Sequence, residues 1–573
     1  MKSLFSKLFL TLTAVLLTAC LFGGENDSHQ GFLSEDALRK TASTVVAQNY
    51  PNADDVLLDD IIKVAYQADG TSLTWDDTAV KILTDKGREK YRTLYLGFNA
   101  AYSREEFVFV HILRPDGTRL DIDIAAHQQL ATDVSQMGSN IYDPNNKDLQ
   151  VTLPELEIGD VVRYLTREEV FKPRVPNTFS DYQVLEGPSP ILHYSYEVDS
   201  PEALPLRQVL VKDRISDNIQ TSEEHRDGRI IRRWEVSDVP QFFPEPEMPS
   251  WYTCVQRLLV STIDSWEDVS RWYWKLSEPH LVASEAMQAK VTELLQGKSD
   301  FHERLHAIFT FVSQNIRYMG ITVETEAPGY EPHDAKDTFD RRHGVCRDKA
   351  ALLTALLRQA GFQAYPVLIN AGPRIDQEVP KPFFNHAITA VVMPDGSFQL
   401  MDSTNETTRD LFPAYLGNCS YLVAMPEGET LHVSPSEPYD RHLAVITTNG
   451  HLSADGSLLG ECCLQMRGIN DNAYRGMLLR RSPAQRRDFF ENAVKRLLPG
   501  GMLTDITFQP AELADTSIPL TITFGFSAPD ILTDDGKTAL LTVPCFSEQF
   551  GYVLFTMGEA NLRKRRFPFE TTT

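Results

Sequence analysis

The chain has 573 residues, of which 42% are hydrophobic and 23% are charged, and its formal net charge is −24. A chain of this length cannot be organised around one hydrophobic core, so three or four domains are expected. The negative charge argues against nucleic acid as a partner and against electrostatic binding to an anionic membrane surface. After the first twenty residues no segment is long and apolar enough to span a bilayer, so we expect a soluble body.

The first twenty residues have the pattern of an export signal. Lys2 and Lys7 supply positive charge, and the apolar stretch Leu8–Leu17 that follows is too short to span a bilayer. The stretch ends in Leu17-Thr18-Ala19-Cys20, which resembles the bacterial lipobox, in which the cysteine becomes the lipidated N-terminus. We therefore expect residues 1–20 to be a lipoprotein signal peptide, and the protein to be anchored in the cell envelope through lipid on Cys20. The outer membrane, on its periplasmic or surface face, is the expected location, and an ordinary cleaved signal peptide is the alternative.

The next region is predicted to be a short tether and a helix over residues 21–50, followed by a β-sandwich over residues 51–255. The helix is expected over Ser34–Tyr50 with Ser34 as its cap. Short alternating segments separated by turn signals such as Asp69-Gly70 predict the sandwich. No cluster in it suggests a metal or catalytic site. The predicted strands are Ile61–Tyr66, Ala79–Leu83, Thr93–Ala101, Glu106–Leu113, Val161–Thr166, His193–Val198, Leu206–Val211 and Arg229–Val236.

A second domain is predicted over residues 256–430. The proline-rich stretch Pro240–Pro249 suggests an extended connector before it. The stretch Ser261–Phe311 has helical periodicity, Asn315–Glu324 favours a strand, and a further strand is predicted over Ala364–Asn370. This mixture of helices and strands predicts an α+β domain.

Within that domain the stretch Gly344–Gly361 has the pattern of a helix that begins with a cysteine. Ala350, Leu353 and Leu357 recur at three- and four-residue steps, and the final glycine suits a left-handed C-terminal position. Cys346 would lie in the first turn, where unpaired N–H groups and the helix dipole favour the thiolate. Because the thiolate is the reactive nucleophile, Cys346 is a candidate catalytic residue, and a small buried hydrophobic residue is the alternative.

Residues 385–402 have the pattern of a β-hairpin. The Pro-Asp-Gly sequence at 394–396 suits a three-residue loop whose glycine is left-handed, and this turn sets the register of both strands. In that register His386 and Asp402 are diagonal neighbours on one face, roughly 7–8 Å apart at the backbone. The hairpin thus presents an imidazole beside a carboxylate, which a thiol nucleophile needs as base and orienting group. The pattern does not place Cys346 near His386.

The C-terminal region is predicted to be a third domain, a β domain over residues 431–573 with a helical insertion over Pro483–Leu498. No candidate site is evident in it. Its predicted strands are His442–Thr448, Leu458–Met466, Ile506–Gln509 and Leu520–Phe526.

These motifs resemble those of the bacterial transglutaminase-like superfamily. Gly344–Leu353 is similar to the cysteine helix of that family, and Phe384–Ala387 and Met401–Thr404 resemble its histidine and aspartate strands, in the correct order. The upstream β region is similar to the domain of unknown function that often precedes this core in exported bacterial proteins. That second similarity lies in Tyr50–Asp54, Lys81–Thr84, Pro115–Thr118 and the segment around Trp266.

The resemblance implies a papain-like core in which Cys346, His386 and Asp402 meet as nucleophile, base and orienting residue. It implies amide hydrolysis, or acyl transfer from glutamine or peptide amides to amines, through a thioester. The backbone N–H of Cys346 is the expected oxyanion donor. Tyr318 is a second candidate donor, with a core tyrosine as the alternative.

Two positions depart from the family's usual pattern. Many related cores carry Asp directly before the cysteine and Lys directly after it, whereas this chain has Val345 and Arg347 there. The three catalytic residues are all present, but the substrate cannot be inferred from the resemblance.

A rival motif is the H-E-x-x-H sequence at His302–His306. On a helix its two imidazoles would lie one turn apart on one face, as in zinc peptidases. Glu324 or Glu326 would have to supply the third ligand. The alternative is a packing helix with histidines at the edge of its apolar stripe, and that alternative is favoured.

Six cysteines follow the predicted lipidated residue, too few for a disulfide scaffold. The one bridge considered joins Cys545 to Cys462 or Cys463, because all three lie in the same C-terminal region. Cys254 and Cys419 have no histidine nearby in sequence and are interpreted as structural.

The sequence therefore predicts a three-domain α+β protein, with a β-sandwich, a transglutaminase-like core and a C-terminal β domain. The favoured function is a thiol enzyme acting on protein or peptide amides. A catalytically silent binding or assembly lipoprotein is the alternative, and a zinc hydrolase using His302 and His306 is a remote one. No cofactor is predicted, because no phosphate-binding glycine loop follows any predicted strand.

Overall fold

The structure is a computed structural model, and it describes residues 31–245, 248–321, 329–541 and 543–551. The predicted signal peptide and its Cys20 lie outside the described residues. Within them, no helix has both the length and the apolar character needed to cross a membrane.

The described chain forms two compact units, and neither is continuous in sequence. Cys346, His386 and Asp402 all belong to the second. The first unit comprises the described residues up to Val269, those of the range 320–330, and Asp376–Pro382. The second comprises Ser270–Met319, Glu331–Ile375 and the described residues from Phe383 onward.

The first unit is rich in strands because its sequence alternates apolar and polar residues over short segments. Each of the eight strands predicted in it overlaps an observed one. Its helices are α1 (Glu35–Thr44), α2 (Asp85–Tyr91) and α3 (Ile124–His127). The strands up to residue 261 are β1 (Asp55–Tyr66), β2 (Ser72–Ile82), β3 (Thr93–Asn99), β4 (Ser103–Leu113), β5 (Arg119–Asp121), β6 (Gln128–Thr132), β7 (Ile141–Tyr142), β8 (Asn146–Thr152), β9 (Val161–Val170), β10 (Ser180–Val184), β11 (Ile191–Pro201), β12 (Gln208–Lys212), β13 (Ile219–Arg226), β14 (Arg229–Val239) and β15 (Arg257–Ser261).

Eight of these strands form one sheet in the order β13-β14-β11-β1-β2-β9-β4-β5. All neighbours in it are antiparallel except β1 and β11. Two three-stranded sheets, β10-β15-β12 and β3-β8-β6, share apolar clusters with the large sheet. Tyr196 and Leu258 belong to one cluster, and Ile112 and Val151 to the other. The predicted sheet-rich N-terminal domain is confirmed.

Strand β13 is an observed strand that the sequence pattern did not predict. Strand β13 pairs with β14 along its whole length, from Ile219 to Arg226, yet residues 220–226 are all exposed. An edge strand with solvent on both faces needs no alternation of apolar residues, so the sequence carries no signal for it.

The stretch from residue 266 to residue 433 contains the predicted α+β core. The predicted strand Asn315–Glu324 is confirmed in part: a helix runs through Asn315, and two short strands with different partners, Arg317–Tyr318 and Gly320–Ile321, follow it. Residues 322–324 lie outside the described residues. The helices and strands of residues 266–433 are α4 (Trp266–Ser277), α5 (Glu285–Leu294), α6 (Phe301–Asn315), β16 (Arg317–Tyr318), β17 (Gly320–Ile321), α7 (Ala335–Arg341), β18 (His343–Gly344), α8 (Cys346–Gln359), β19 (Ala364–Ile369), β20 (His386–Val392), β21 (Phe398–Met401), β22 (Ser420–Val423) and β23 (His432–Val433).

Helix α8 begins at Cys346, as predicted, and is followed by Gly361 with a φ of +87°. The prediction of a single apolar stripe was too narrow, because ten consecutive residues, Asp348 to Leu357, are buried. Helices α5, α6 and α7 and strands β19 and β20 all pack against α8, so it is the centre of the core rather than a surface helix.

The hairpin that carries His386 is confirmed. Met393 N donates to Ser397 O at 2.8 Å, Gly396 has a φ of +84°, and Thr389 lies opposite Met401 as the turn requires. Its two strands are the first members of an antiparallel sheet with the order β21-β20-β19-β22-β23.

The C-terminal region forms a four-stranded sheet with two helices. The four predicted strands and the predicted helix overlap observed elements, whereas the first helix was not predicted. The sheet has the strand order β24-β25-β27-β26. The elements are β24 (Ala444–Leu452), β25 (Leu458–Met466), α9 (Ile469–Leu479), α10 (Pro483–Leu497), β26 (Met502–Gln509), β27 (Thr521–Ala528), β28 (Leu532–Asp534) and β29 (Ala539–Leu541).

Candidate active site

Cys346 is the first residue of α8, and the turn before it is tightly packed. A Cβ atom on Gly344 would lie only 2.7 Å from Cβ of Asp348, so the turn requires glycine. Val345 N donates to Asp348 Oδ2 at 3.0 Å, which satisfies one of the free N–H groups at the helix start. These contacts fix the backbone that presents the thiol.

Asp348 is held on both carboxylate oxygens. Its Oδ1 accepts from His333 N and lies 3.0 Å from His333 Nδ1, while its Oδ2 accepts from Val345. Burial raises the pKa of this carboxyl, but the bonds from His333 and the charge of Arg347 outweigh burial and lower it. Asp348 therefore acts as a charged cap of α8, as its position in the first turn suggests.

His386 and Asp402 meet as the hairpin register predicts. His386 Nε2 lies 3.1 Å from Asp402 Oδ2, and the carboxylate side chain is fully buried. Strand β20 carries the histidine at its first residue, and the aspartate directly follows the last residue of β21. Adjacent strands therefore position the two groups.

The imidazole of His386 lies within hydrogen-bonding reach of the Cys346 sulfur, a contact that the hairpin alone could not reveal. Because Nε2 of His386 is engaged by Asp402, its Nδ1 is the nitrogen left to face the sulfur. The backbone N–H of Ala387 also donates to the sulfur. The structure thus brings all three predicted catalytic residues together.

The electrostatics of this group favour an ion pair. Burial raises the pKa of the Cys346 thiol, but the hydrogen bond and charge of His386 outweigh burial, so the pKa lies below its usual value. Burial lowers the pKa of His386, but the charge and hydrogen bond of Asp402, together with Cys346, raise it to about 10. A thiolate beside an imidazolium is therefore the favoured state near neutral pH.

Asp402 has further partners that the sequence did not indicate. Thr404 donates to Oδ1 from its N at 2.9 Å and from its hydroxyl at 2.7 Å, and the Tyr415 hydroxyl donates to Oδ2 at 3.0 Å. Burial raises the pKa of Asp402, but the charge and bond of His386, with the bonds of Thr404, lower it. Tyr415 lies in a short 3₁₀ turn outside the hairpin, so no local pattern identifies it.

Tyr318, the candidate oxyanion donor, reaches the nucleophile. Its phenol lies within hydrogen-bonding reach of the Cys346 sulfur, and its backbone N donates to Glu406 Oε1 at 3.1 Å. Burial, with the negative charges of Cys346 and Asp402, raises the pKa of the phenol, so it remains a neutral donor.

A buried lysine follows the nucleophile by about one turn of helix α8. Lys349 is fully buried and donates to Ser313 O at 3.3 Å and to Ile316 O. Burial lowers the pKa of its amine to about 8. Because these carbonyls belong to the end of α6, the lysine ties that end to α8.

The H-E-x-x-H motif does not lie in this site. His302 and His306 are exposed on α6, while Leu305, Ile308 and Phe309 of the same helix are buried, as the packing interpretation predicts. Glu324 and Glu326 lie outside the described residues. Among the described residues no group of three or more His, Cys, Asp or Glu could hold a metal ion.

A cavity of about 590 Å³ lies elsewhere in the second unit and does not include the catalytic residues. His306, Arg409 and His442 are among its lining residues. Its existence does not bear on the chemistry at Cys346.

All six cysteines of the described chain are free. The bridge considered between Cys545 and Cys462 or Cys463 is therefore wrong: Cys462 is buried in the sheet core, whereas Cys545 is exposed and lies 2.9 Å from Ser547 Oγ. Cys419 is buried, in keeping with a structural role.

Two family models match the sequence. The domain of unknown function DUF3857, described as one with a solved structure, matches residues 68–243. The transglutaminase-like superfamily matches residues 288–403, a range that contains Cys346, His386 and Asp402. A comparison with curated proteins found no match.

Solved structures extend the comparison. A "putative protease" from Parabacteroides distasonis ATCC 8503 is 13% identical, with a TM-score of 0.53, over 83% of this chain and 93% of that one, which shows a shared fold alone. A "putative cysteine protease" from Cytophaga hutchinsonii is 16% identical over 41% of this chain and 80% of that one, with a TM-score of 0.18, too low to support an argument. The chain thus carries a DUF3857 domain followed by a transglutaminase-like core.

Proposed function

We propose that this protein is a thiol enzyme that cleaves or transfers amide acyl groups of peptides or proteins through a thioester on Cys346. The observation that carries the proposal is His386, which bonds the Cys346 sulfur on one side and the buried Asp402 carboxylate on the other. The match of residues 288–403 to the transglutaminase-like superfamily supports the same chemistry.

In the first half of the reaction the Cys346 thiolate attacks the carbonyl carbon of the amide. A C–S bond forms, and the carbonyl electrons move to oxygen. The backbone N–H of Cys346 and the Tyr318 phenol are the donors for that oxyanion. The His386 imidazolium then gives its proton to the amide nitrogen, the C–N bond breaks, and the amine leaves a thioester behind.

In the second half, neutral His386 takes a proton from the acceptor as the acceptor attacks the thioester carbonyl. The C–S bond then breaks and returns the thiolate. The proton stays on His386, and the thiolate again accepts a hydrogen bond from it. Water as acceptor gives hydrolysis, and an amine gives transamidation. Asp402 holds the imidazole ring and stabilises the imidazolium that each half-reaction requires.

Alkylation by iodoacetamide, followed by peptide mapping, tests the proposal. Cys346 should react much faster than the exposed Cys545, because only Cys346 has a histidine bonded to its sulfur. The C346A variant should lose both the fast labelling and the turnover of amide substrates, whereas C545A should keep both. Equal rates at the two cysteines, or unchanged turnover in C346A, would refute the proposed function.

We also propose that the protein is held at the cell envelope by lipid on Cys20. This rests on the sequence of residues 1–20, in which two lysines and an apolar stretch precede Ala19-Cys20. In cell fractionation the C20S variant should move from the membrane fraction to the soluble fraction. Retention of the variant in the membrane fraction would contradict the anchor.

A further inference from the structure

Arg347, the residue directly after the nucleophile, is a largely buried cation to which none of the described residues is hydrogen-bonded. Its side chain is only 19% exposed. Its Nε is buried and has no hydrogen-bond partner among the described residues. Asp348 Oδ1 lies 3.8 Å from that nitrogen, which is within ion-pair range but too far for a hydrogen bond.

Asp348 is not a full partner for this guanidinium. Its two oxygens already accept bonds from His333 and Val345, which fix the start of α8. The Asp348 carboxylate therefore partly compensates the charge of Arg347, but it accepts no hydrogen bond from the guanidinium.

Other buried arginines of the described chain show what full pairing looks like. Arg163 is 5% exposed and bonds both oxygens of Asp77 at 2.8 and 2.9 Å. Arg475 is fully buried and bonds both oxygens of Asp471 and three backbone carbonyls. A buried N–H group without an acceptor costs free energy, and Arg347 Nε has no acceptor among the described residues, so this guanidinium retains bonding capacity for a ligand.

The charge of Arg347 acts at the reaction centre. Burial raises the pKa of the Cys346 thiol, His386 lowers it, and the positive charge of Arg347 lowers it further. Burial raises the pKa of the Tyr273 and Tyr318 phenols, and the charge of Arg347 acts in the opposite direction on both. Tyr318 lies beside the Cys346 sulfur. Arg347 also directly follows Cys346 in the first turn of α8, so its charge lies in the neighbourhood of the nucleophile.

We propose that Arg347 is a specificity residue that binds a carboxylate of the acyl substrate, close to the amide under attack. A guanidinium donates two parallel N–H···O hydrogen bonds to a carboxylate, and among peptide side chains the carboxylate suits this geometry best. The inference rests on the proposed function, and it names an acidic peptide as the substrate class: an Asp or Glu side chain, or a free α-carboxylate, beside the reacting amide.

The test compares two alkylating reagents that differ in charge. The rates of Cys346 modification by iodoacetate and by iodoacetamide are measured by peptide mapping, and their ratio is taken. Changes in thiolate population alter both rates alike and cancel in the ratio. In R347Q the ratio should fall about tenfold or more, which is the loss expected for one charged hydrogen-bonding partner. In R347K, which keeps the charge, the ratio should stay above that of R347Q, and the ratio at Cys545 should be the same in every variant.

A second measurement needs no variant and so does not depend on the fold of R347Q. N-acetyl-L-glutamate should protect Cys346 of the wild-type protein from iodoacetamide, whereas the neutral N-acetyl-L-glutamine should not at the same concentration. An iodoacetate-to-iodoacetamide ratio equal in wild type and R347Q, or equal protection by the two compounds, would overturn the proposal. Failure of the proposed function looks different, because then neither reagent would modify Cys346 faster than Cys545.

Discussion

Replacement of Asp402 by Asn tests how the nucleophile is activated. The wild-type carboxylate is fully buried and accepts four bonds: one from His386, one from Tyr415 and two from Thr404. In D402N the amide oxygen can keep the two bonds from Thr404. The amide nitrogen then replaces Oδ2, and because it is a donor it cannot accept from His386.

The size of the effect follows from the bond lost to His386, since the Tyr415 hydroxyl, the other partner of Oδ2, can turn to accept from the amide nitrogen. A hydrogen bond to a charged group contributes about 1.5–3 kcal/mol, so the imidazolium should become less stable by about ten- to hundredfold. The proton then moves from His386 to the Cys346 sulfur. Because the thiolate would form only at higher pH, the rise of alkylation rate with pH should move upward by about one to two pH units.

The assay is the rate of Cys346 alkylation by iodoacetamide across the pH range, for wild type and D402N. At neutral pH the variant should react about tenfold or more slowly, and the difference should narrow as the pH is raised. Y415F is the matched control, because it removes one bond to Asp402 and leaves His386 paired, so its profile should shift less. Superimposable profiles for wild type and D402N would refute the role assigned to Asp402.

Three further changes test other parts of the account. Y318F removes a proposed oxyanion donor, so turnover should fall by about 10²- to 10³-fold while iodoacetamide still labels Cys346, and unchanged turnover would exclude that role. G344A places a Cβ atom 2.7 Å from Cβ of Asp348, so the free energy of unfolding measured in urea should fall by about 1–3 kcal/mol, and an unchanged midpoint would contradict the packing argument. Burial, with the charge and hydrogen bond of Asp76, raises the pKa of Asp60, so the folded protein binds a proton that the unfolded chain releases above about pH 4. D60N should therefore raise the thermal unfolding temperature at neutral pH, with a gain that shrinks toward about pH 4, and a gain independent of pH would contradict the assignment.

The parts of the site that depend on local sequence could be predicted. The Pro-Asp-Gly turn at 394–396 fixes the hairpin register, and that register alone brings His386 beside Asp402. The start of α8 at Cys346 follows equally from the glycine before it and the apolar periodicity after it.

The contact between Cys346 and His386 could not be derived in this way. The two residues are forty positions apart, and helix α8 must pack against strand β20 before they meet. Periodicity identifies each element but does not decide which faces touch. Only the resemblance to a known family suggested this contact from sequence.

Residues that act through tertiary contacts were missed for the same reason. Tyr415 reaches Asp402 from a 3₁₀ turn that has no periodic signal. Helix α9 was missed because it buries two polar residues that obscure the apolar pattern. Asp471 accepts from Leu520 N, and Arg475 donates to later backbone carbonyls. Such buried polar pairs become intelligible only when their partners are known.

The central claim is that Cys346 and His386 form a thiolate–imidazolium pair. The most direct measurement is an ultraviolet titration of thiolate absorbance, taken as the difference between the wild-type protein and C346S. The structure predicts thiolate absorbance already present at neutral pH and lost only on acidification. Absorbance that appears only as the pH passes the ordinary thiol value of about 8.5 would contradict the claim.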